Sequence, residues 1–227
     1  MFAITGRSSG RWFWLAVAVS LAVSVTPWAT PLLYPFKVFT TWAHECGHAL
    51  MAVLVGGRVT AITIAPDTSG VTHSVLPSGR VPRALVASSG YMSAAVVGCL
   101  LLAAPRMERR AHAVLLGVGV FMLLTLVFWI RNVFGMVAVL AWGVALVTIA
   151  RLKGMGDAPR FVLSLLAIQV ALNAVYDIRI LFQIDRGPSD AATMAQLFLL
   201  PSWFWAAAWM MASVAMLAAT LRASRLR

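Results

Sequence analysis

Charged side chains are scarce in this chain. Asp, Glu, Lys and Arg make up 11% of its 227 residues, while 61% are hydrophobic. That balance lies outside the soluble globular range and excludes a water-soluble enzyme of this length. Histidine is sparse too: four residues, too few for the His-rich boxes of a membrane di-iron oxidase. The two cysteines, Cys46 and Cys99, both fall in apolar segments, so no disulfide framework is indicated. There are only seven acids, and of these Glu45 and Asp177 alone fall within apolar runs. No internal repeat or low-complexity tract is present.

Basic residues outnumber acids, and the formal net charge is +11. They gather in short connections and at the termini: Arg106, Arg109 and Arg110, then Arg151 and Lys153, then Arg222, Arg225 and Arg227. This is the pattern of loops facing anionic lipid headgroups. No basic surface is interleaved with base-reading groups, so no nucleic-acid partner is expected.

What the chain has in abundance is long apolar runs, near 12–30, 37–55, 84–104, 112–130, 133–150, 160–184 and 197–221. Each is long enough, or nearly so, to cross about 30 Å of hydrocarbon. The expected fold is an all-α multi-pass membrane protein of about six to seven transmembrane helices. It is read as one domain over 1–227: an N-terminal anchor helix (1–35), a catalytic core (36–190) and a C-terminal helix (191–227). Arg7 and Arg11 precede the first run, and Trp28-Ala29-Thr30-Pro31 is a poor cleavage site, so an uncleaved anchor is expected. Trp12, Trp14 and Trp28 would sit at interface depth.

A break in the helical pattern follows the second run. That helix should span about Phe36 to Val55 and stop at Gly56-Gly57. The β-branched stretch Arg58–Ala65, the turn Pro66-Asp67-Thr68-Ser69-Gly70 and the run Val71–Val75 then read as a small β-hairpin. Open strand edges cannot face lipid. The hairpin must line a protein-walled cavity or lie at the interface, where a structured surface loop is the plainer alternative. If it lines a cavity, Ile62 and Ile64 are edge positions that would bind a substrate strand.

Inside the second run stands His44-Glu45-Cys46-Gly47-His48. Ionisable groups inside a membrane helix are costly to desolvate and mark function. Two His four apart share one helix face, close enough for both imidazoles to reach one Zn²⁺. Glu45, one step round the helix, is placed to act as a general base without being a ligand. The competing reading is a polar trio that hydrogen-bonds between packed helices.

A catalytic zinc normally needs a third protein ligand. Asp177 is the first choice, because Gln169, Asn173 and Asp177 are spaced by four and form a polar stripe on an apolar helix. Asn173 would then support the carboxylate or bind the substrate backbone. A structural pair of Asp177 with Arg179 or Arg131 is the alternative. Asp190 is the reserve ligand, although Pro188-Ser189-Asp190-Ala191 looks like a helix start in which Ser189 caps. His73, in the hairpin, stays open as a ligand, while His112 reads as interfacial. Cys46 points to another face. Ser88, Ser89, Gly90, Ser93, Ala94, Ala95 and Gly98 give the third run a small-residue face suited to close helix packing.

At these residues the chain resembles the site-2 protease family of intramembrane zinc metalloproteases. That family carries HExxH on one membrane helix and takes its third ligand from an Asp on a distant one. The resemblance implies His44, His48 and Asp177 as ligands and Glu45 as base. The family's Asp usually stands in a Leu-Asp-Gly run, and the stretch Asn173–Ile178 lacks that Gly. Gly56-Gly57-Arg58-Val59, Ser69-Gly70-Val71-Thr72 and Ser189-Asp190-Ala191 look like a compact bacterial branch. The implied activity is zinc-dependent hydrolysis of a membrane protein within or beside its transmembrane segment, in a bacterial cytoplasmic membrane. The alternative is a non-catalytic metal-binding scaffold or transporter, which would need polar sites graded across the bilayer.

Overall fold

The computed structural model describes residues 14–20, 22–23, 26, 31–103, 108–152, 157–181 and 189–225, without the side chains of 108–109, 174–181 and 224–225. Helical backbone at 14–20 (α1) is followed by α2 (Tyr34–Leu54), β1 (Arg58–Ile64) and β2 (Gly70–Val75). Then come α3 (Arg80–Ala103), α4 (Glu108–Phe128), α5 (Val133–Arg151), α6 (Ala158–Leu181), α7 (Asp190–Phe198) and α8 (Ser202–Arg225). Most of the expected anchor, including Arg7, Arg11, Trp12 and Trp28, lies outside the described residues.

The fold is mostly helical, with one two-stranded antiparallel sheet. Four helices are long and apolar enough to cross a membrane: Arg80–Ala103, Arg110–Phe128, Val133–Arg151 and Ser202–Ala223. Helix α6 is apolar over Ala158–Asn173 and continues to Leu181. The chain is therefore a multi-pass membrane protein, with four such spans among the described residues where six to seven were expected. The HECGH helix α2 is not one of the four. Its 21 residues include Lys37, Thr40, Thr41, His44, Glu45 and His48, which lower its hydropathy.

Helix α2 is instead the hub of the core. Phe39 is completely buried and packs on Trp42 and on Trp142 of α5, with ring centroids 5.4 and 5.5 Å apart. The Trp42 indole donates to Thr125 Oγ1 of α4 (3.0 Å), and that of Trp142 donates to Pro35 O (3.1 Å). Buried indole N–H groups need such partners. On the opposite side α2 meets α3, where the small-residue face lets the backbones close up. Ser93 Oγ donates to Ala43 O (3.0 Å), and a Cβ on Gly47 would lie 2.6 Å from Ser89 O. The outer surfaces of α4 and α5 expose Val120, Leu124, Val127, Val133, Val137, Leu140 and Val144. Such a surface suits hydrocarbon and not water.

The expected stop of α2 is observed: Gly56 takes φ +83°, and Gly57 N donates to Ala52 O (2.8 Å). The hairpin is also observed, with Ile62 opposite Thr72 and Ile64 opposite Gly70. Its turn is tied by Asp67 Oδ1, which accepts from Ser69 Oγ (2.7 Å) and Ser69 N (2.9 Å). These two bonds hold the exposed Asp67 carboxyl below its ordinary pKa.

The outer edge of β1, however, is closed. Ile62 N donates to Trp129 O (2.7 Å) and Arg131 N donates to Ile62 O (3.0 Å). Asn132 continues the ladder with its side chain, accepting from Ile64 N (3.1 Å) and donating to Ile64 O (2.7 Å). Ile62 and Ile64 are both fully buried. The expectation that they present a free edge to substrate is thus corrected. The α4–α5 connection already supplies their bonding partners, because buried backbone groups must be paired. Arg131 pairs with no acid in the described contacts; it caps α4 by donating to the carbonyls of Val127, Phe128 and Ile130.

Candidate metal centre

Three side chains from two distant parts of the sequence converge. His44 Nε2 and His48 Nε2 are 3.0 Å apart, and Asp190 Oδ2 is 3.2 Å from each. Helical spacing accounts for the two imidazoles, whose ring centroids are 4.7 Å apart. Asp190 arrives because it is the first residue of α7. Ser189 caps that helix by accepting from Ala192 N (3.1 Å), as its sequence predicted, and this fixes where the carboxylate starts. Among the described residues, His44, His48 and Asp190 are the group able to hold a metal ion.

The donor set suits a divalent cation. His48 Nδ1 donates to Val86 O (2.7 Å), so a neutral His48 presents the lone pair of Nε2 to the centre. That lone pair faces a second imidazole and a carboxylate oxygen. A bound divalent cation or a shared imidazole proton would satisfy these facing groups. Gly90 of α3 gives the space, since a Cβ there would overlap both Nε2 atoms. Two nitrogens and one oxygen within reach of one point match the three-ligand set of a catalytic zinc site.

Glu45 lies beside this group and is buried. Thr72 Oγ1 is 2.7 Å from Glu45 Oε2 and 2.9 Å from Glu45 O. Leaving a carboxylate buried and unpartnered would cost several kcal/mol, so this bond matters for holding it there. On the other side, the His44 ring meets Tyr91 edge-on at 4.7 Å, and Tyr91 stacks on Trp209 of α8 at 5.1 Å.

The structure thus brings together His44, Glu45, His48 and the reserve acid Asp190. Asp177 lies on α6, but its side chain is outside the described residues. Asn173 is described, and its amide lies 3.4 Å from Thr40 Oγ1, one turn before His44. It ties α6 to α2, and in this arrangement does not bond the converging group. His73 is exposed on β2, and His112 donates from Nδ1 to Ala150 O (2.8 Å). Sequence reasoning gave Gly90 only a packing role, and missed Thr72, Tyr91 and Trp209. Their signals were faint: a glycine in a small-residue face, a threonine in a strand and two aromatics in apolar helices.

A His-Glu-His run, half-buried at His44 and buried at Glu45 and His48, facing an aspartate is the arrangement of a metallohydrolase. The chain matches the model of the Peptidase M50B-like family over residues 14–220, and it belongs to that family. Membership makes it a site-2 protease-like metallopeptidase. Comparison with curated proteins and with solved structures yields no match.

Gly90 offers a direct check on the cradle. Gly90→Ala should lower zinc affinity by at least about tenfold, the scale seen when groups supporting metal ligands are disturbed. Gly98→Ala is the control, since a Cβ there meets only ordinary contacts, the nearest at 3.7 Å. Zinc titration of both variants distinguishes a filled cradle from general helix disruption, and equal affinities would remove Gly90 from the site.

Proposed function

We propose that this chain is a zinc-dependent endopeptidase that cuts membrane proteins within or beside a transmembrane segment. The observation that carries this reading is the convergence of His44, His48 and Asp190 next to the buried carboxylate of Glu45. His44, His48 and Asp190 would hold the ion. When bound, zinc acidifies a water and polarises the scissile carbonyl. Glu45 takes the proton of the attacking water and passes it to the leaving amine.

Substrate must reach this centre as extended backbone, because a helical carbonyl is already bonded. Ile62 bonds away from β2, so its opposite residue Thr72 directs its own N–H and C=O to the outer side of β2. That edge runs past Glu45 and suits an added strand. The apolar outer faces of α4 and α5 favour delivery from the bilayer, and a bacterial cytoplasmic membrane fits the expected branch. A non-catalytic scaffold or transporter is disfavoured by the Thr72–Glu45 bond, which holds a carboxylate that such a protein would not need at this point.

The reading is tested in proteoliposomes containing the chain and a single-span substrate with a Gly-Asn pair at mid-helix. Cleavage is expected, with loss on adding 1,10-phenanthroline and recovery on adding zinc. The same span made entirely of Leu should be cut far more slowly, since it resists unwinding. Cleavage indifferent to the chelator would overturn the metallopeptidase reading. Equal rates for the two spans would overturn the requirement for local unwinding.

A further inference from the structure

The geometry points to Thr72 as the positioning residue for the general base, a role that rests on the metallopeptidase reading. Three groups along one face of α2 latch it to the hairpin. Tyr34 donates from its hydroxyl to Pro66 O (2.6 Å), and Thr41 Oγ1 donates to Thr68 O (2.7 Å). Glu45 receives the third contact, from Thr72. Positions 34, 41 and 45 are spaced by seven and four, so they stack on one side of the helix. The hairpin is thereby held in register with the HECGH turn.

Within that register the Glu45 carboxylate is confined from two directions. A Cβ on Gly70 would lie 2.7 Å from Glu45 Cγ and 2.7 Å from Oε1, so only glycine leaves room for the side chain there. The Thr72 hydroxyl has one proton to give. Of its two acceptors, the carboxylate oxygen is the nearer and carries the charge, which makes that bond the stronger. One lone pair of Oε2 is then engaged, which fixes the orientation of the carboxylate, while Oε1 keeps both of its own. The backbone of Thr72 faces the outer edge of β2, which no strand among the described residues pairs with. A substrate strand added there bonds to the same residue that holds the base, which links strand docking to the placement of Glu45.

The test uses the full-length chain in detergent, zinc-loaded, with acetohydroxamic acid as the probe. A hydroxamate binding a zinc ion gives its acidic proton to a neighbouring acceptor, so its affinity reports where the base carboxylate stands. Thr72→Val should weaken acetohydroxamate about tenfold, the scale of one lost bond to a charged group, while zinc stays stoichiometric. Thr72→Ser, which keeps the hydroxyl, should bind within about twofold of the parent chain. In a Glu45→Gln background Thr72→Val should add nothing, because the two residues act as one unit.

Unchanged affinity in Thr72→Val would overturn the assignment, as would additive losses in the double variant. A serine variant as weak as the valine variant would assign the effect to packing. Zinc lost from Thr72→Val would make Thr72 a structural latch only. If the parent chain binds neither zinc nor the hydroxamate, the metallopeptidase reading itself fails, and the role of Thr72 with it.

Discussion

Replacing Glu45 by Gln should leave zinc bound and abolish turnover, whereas replacing either His44 or His48 by Ala should strip the metal. The contrast follows from the geometry of α2. His44 Nε2 and His48 Nε2 point at one centre, 3.0 Å apart, while Glu45 turns to the hairpin and bonds Thr72. Gln keeps the size and one acceptor oxygen but cannot take a proton. The expected loss in cleavage rate for Glu45→Gln is about 10²–10⁴-fold, the usual contribution of a positioned acid–base group. Zinc content by elemental analysis and cleavage by gel assay, on the same preparations, separate the two roles. Stoichiometric zinc persisting in the His44→Ala/His48→Ala double variant would remove the site from this helix.

The second large effect is expected at Asp190. Its Oδ2 stands 3.2 Å from both imidazole nitrogens, so it completes the donor set by distance. Asp190→Asn should weaken zinc by more than about 100-fold, beyond the range typical of groups that merely support a ligand. Asp177→Asn should change it by less than about threefold on the same scale. Competition with a zinc-sensitive chelator dye measures both. Helix α7 should form in either variant, because Ser189 caps it independently by accepting from Ala192 N. Parent-like affinity in Asp190→Asn together with a large loss in Asp177→Asn would return the third ligand to α6.

Local features of the molecule are legible in its sequence. The His44–His48 pair is a matter of helical periodicity, and four residues on an α-helix bring two side chains together in any fold that keeps the helix. The end of α2 at Gly56 and the hairpin around Pro66–Gly70 are written in turn chemistry, which is local. The small residues at 88–98 announced a close helix contact, and α2 and α3 do approach through Ser93 and Gly47. Membrane character followed from composition, and four of the expected spans stand among the described residues. A helix such as α2 is apolar enough to be buried in protein, yet it carries several polar groups that reduce its hydropathy.

Relations between segments were not legible in the same way. The place of Asp177 in an apolar run and its stripe with Gln169 and Asn173 made it the first choice of ligand. Asp190 had the look of a helix N-terminal acid, and it is one. Nothing in the sequence says that this helix start sits against α2, 146 positions earlier. Likewise, Ile62 and Ile64 had the spacing of an open edge, and only the return of residues 129–132 closes it.

By itself, then, the sequence determined the membrane-embedded class, the helix bearing the two imidazoles and Glu45, and the hairpin that follows it. These depend on period, turn residues and hydropathy, which act over a few residues. The tertiary structure decided which acid faces the imidazoles, which strand edge is closed and which hydroxyl bonds Glu45. Each of these depends on a contact between segments far apart in the chain, and long-range packing has no local signature.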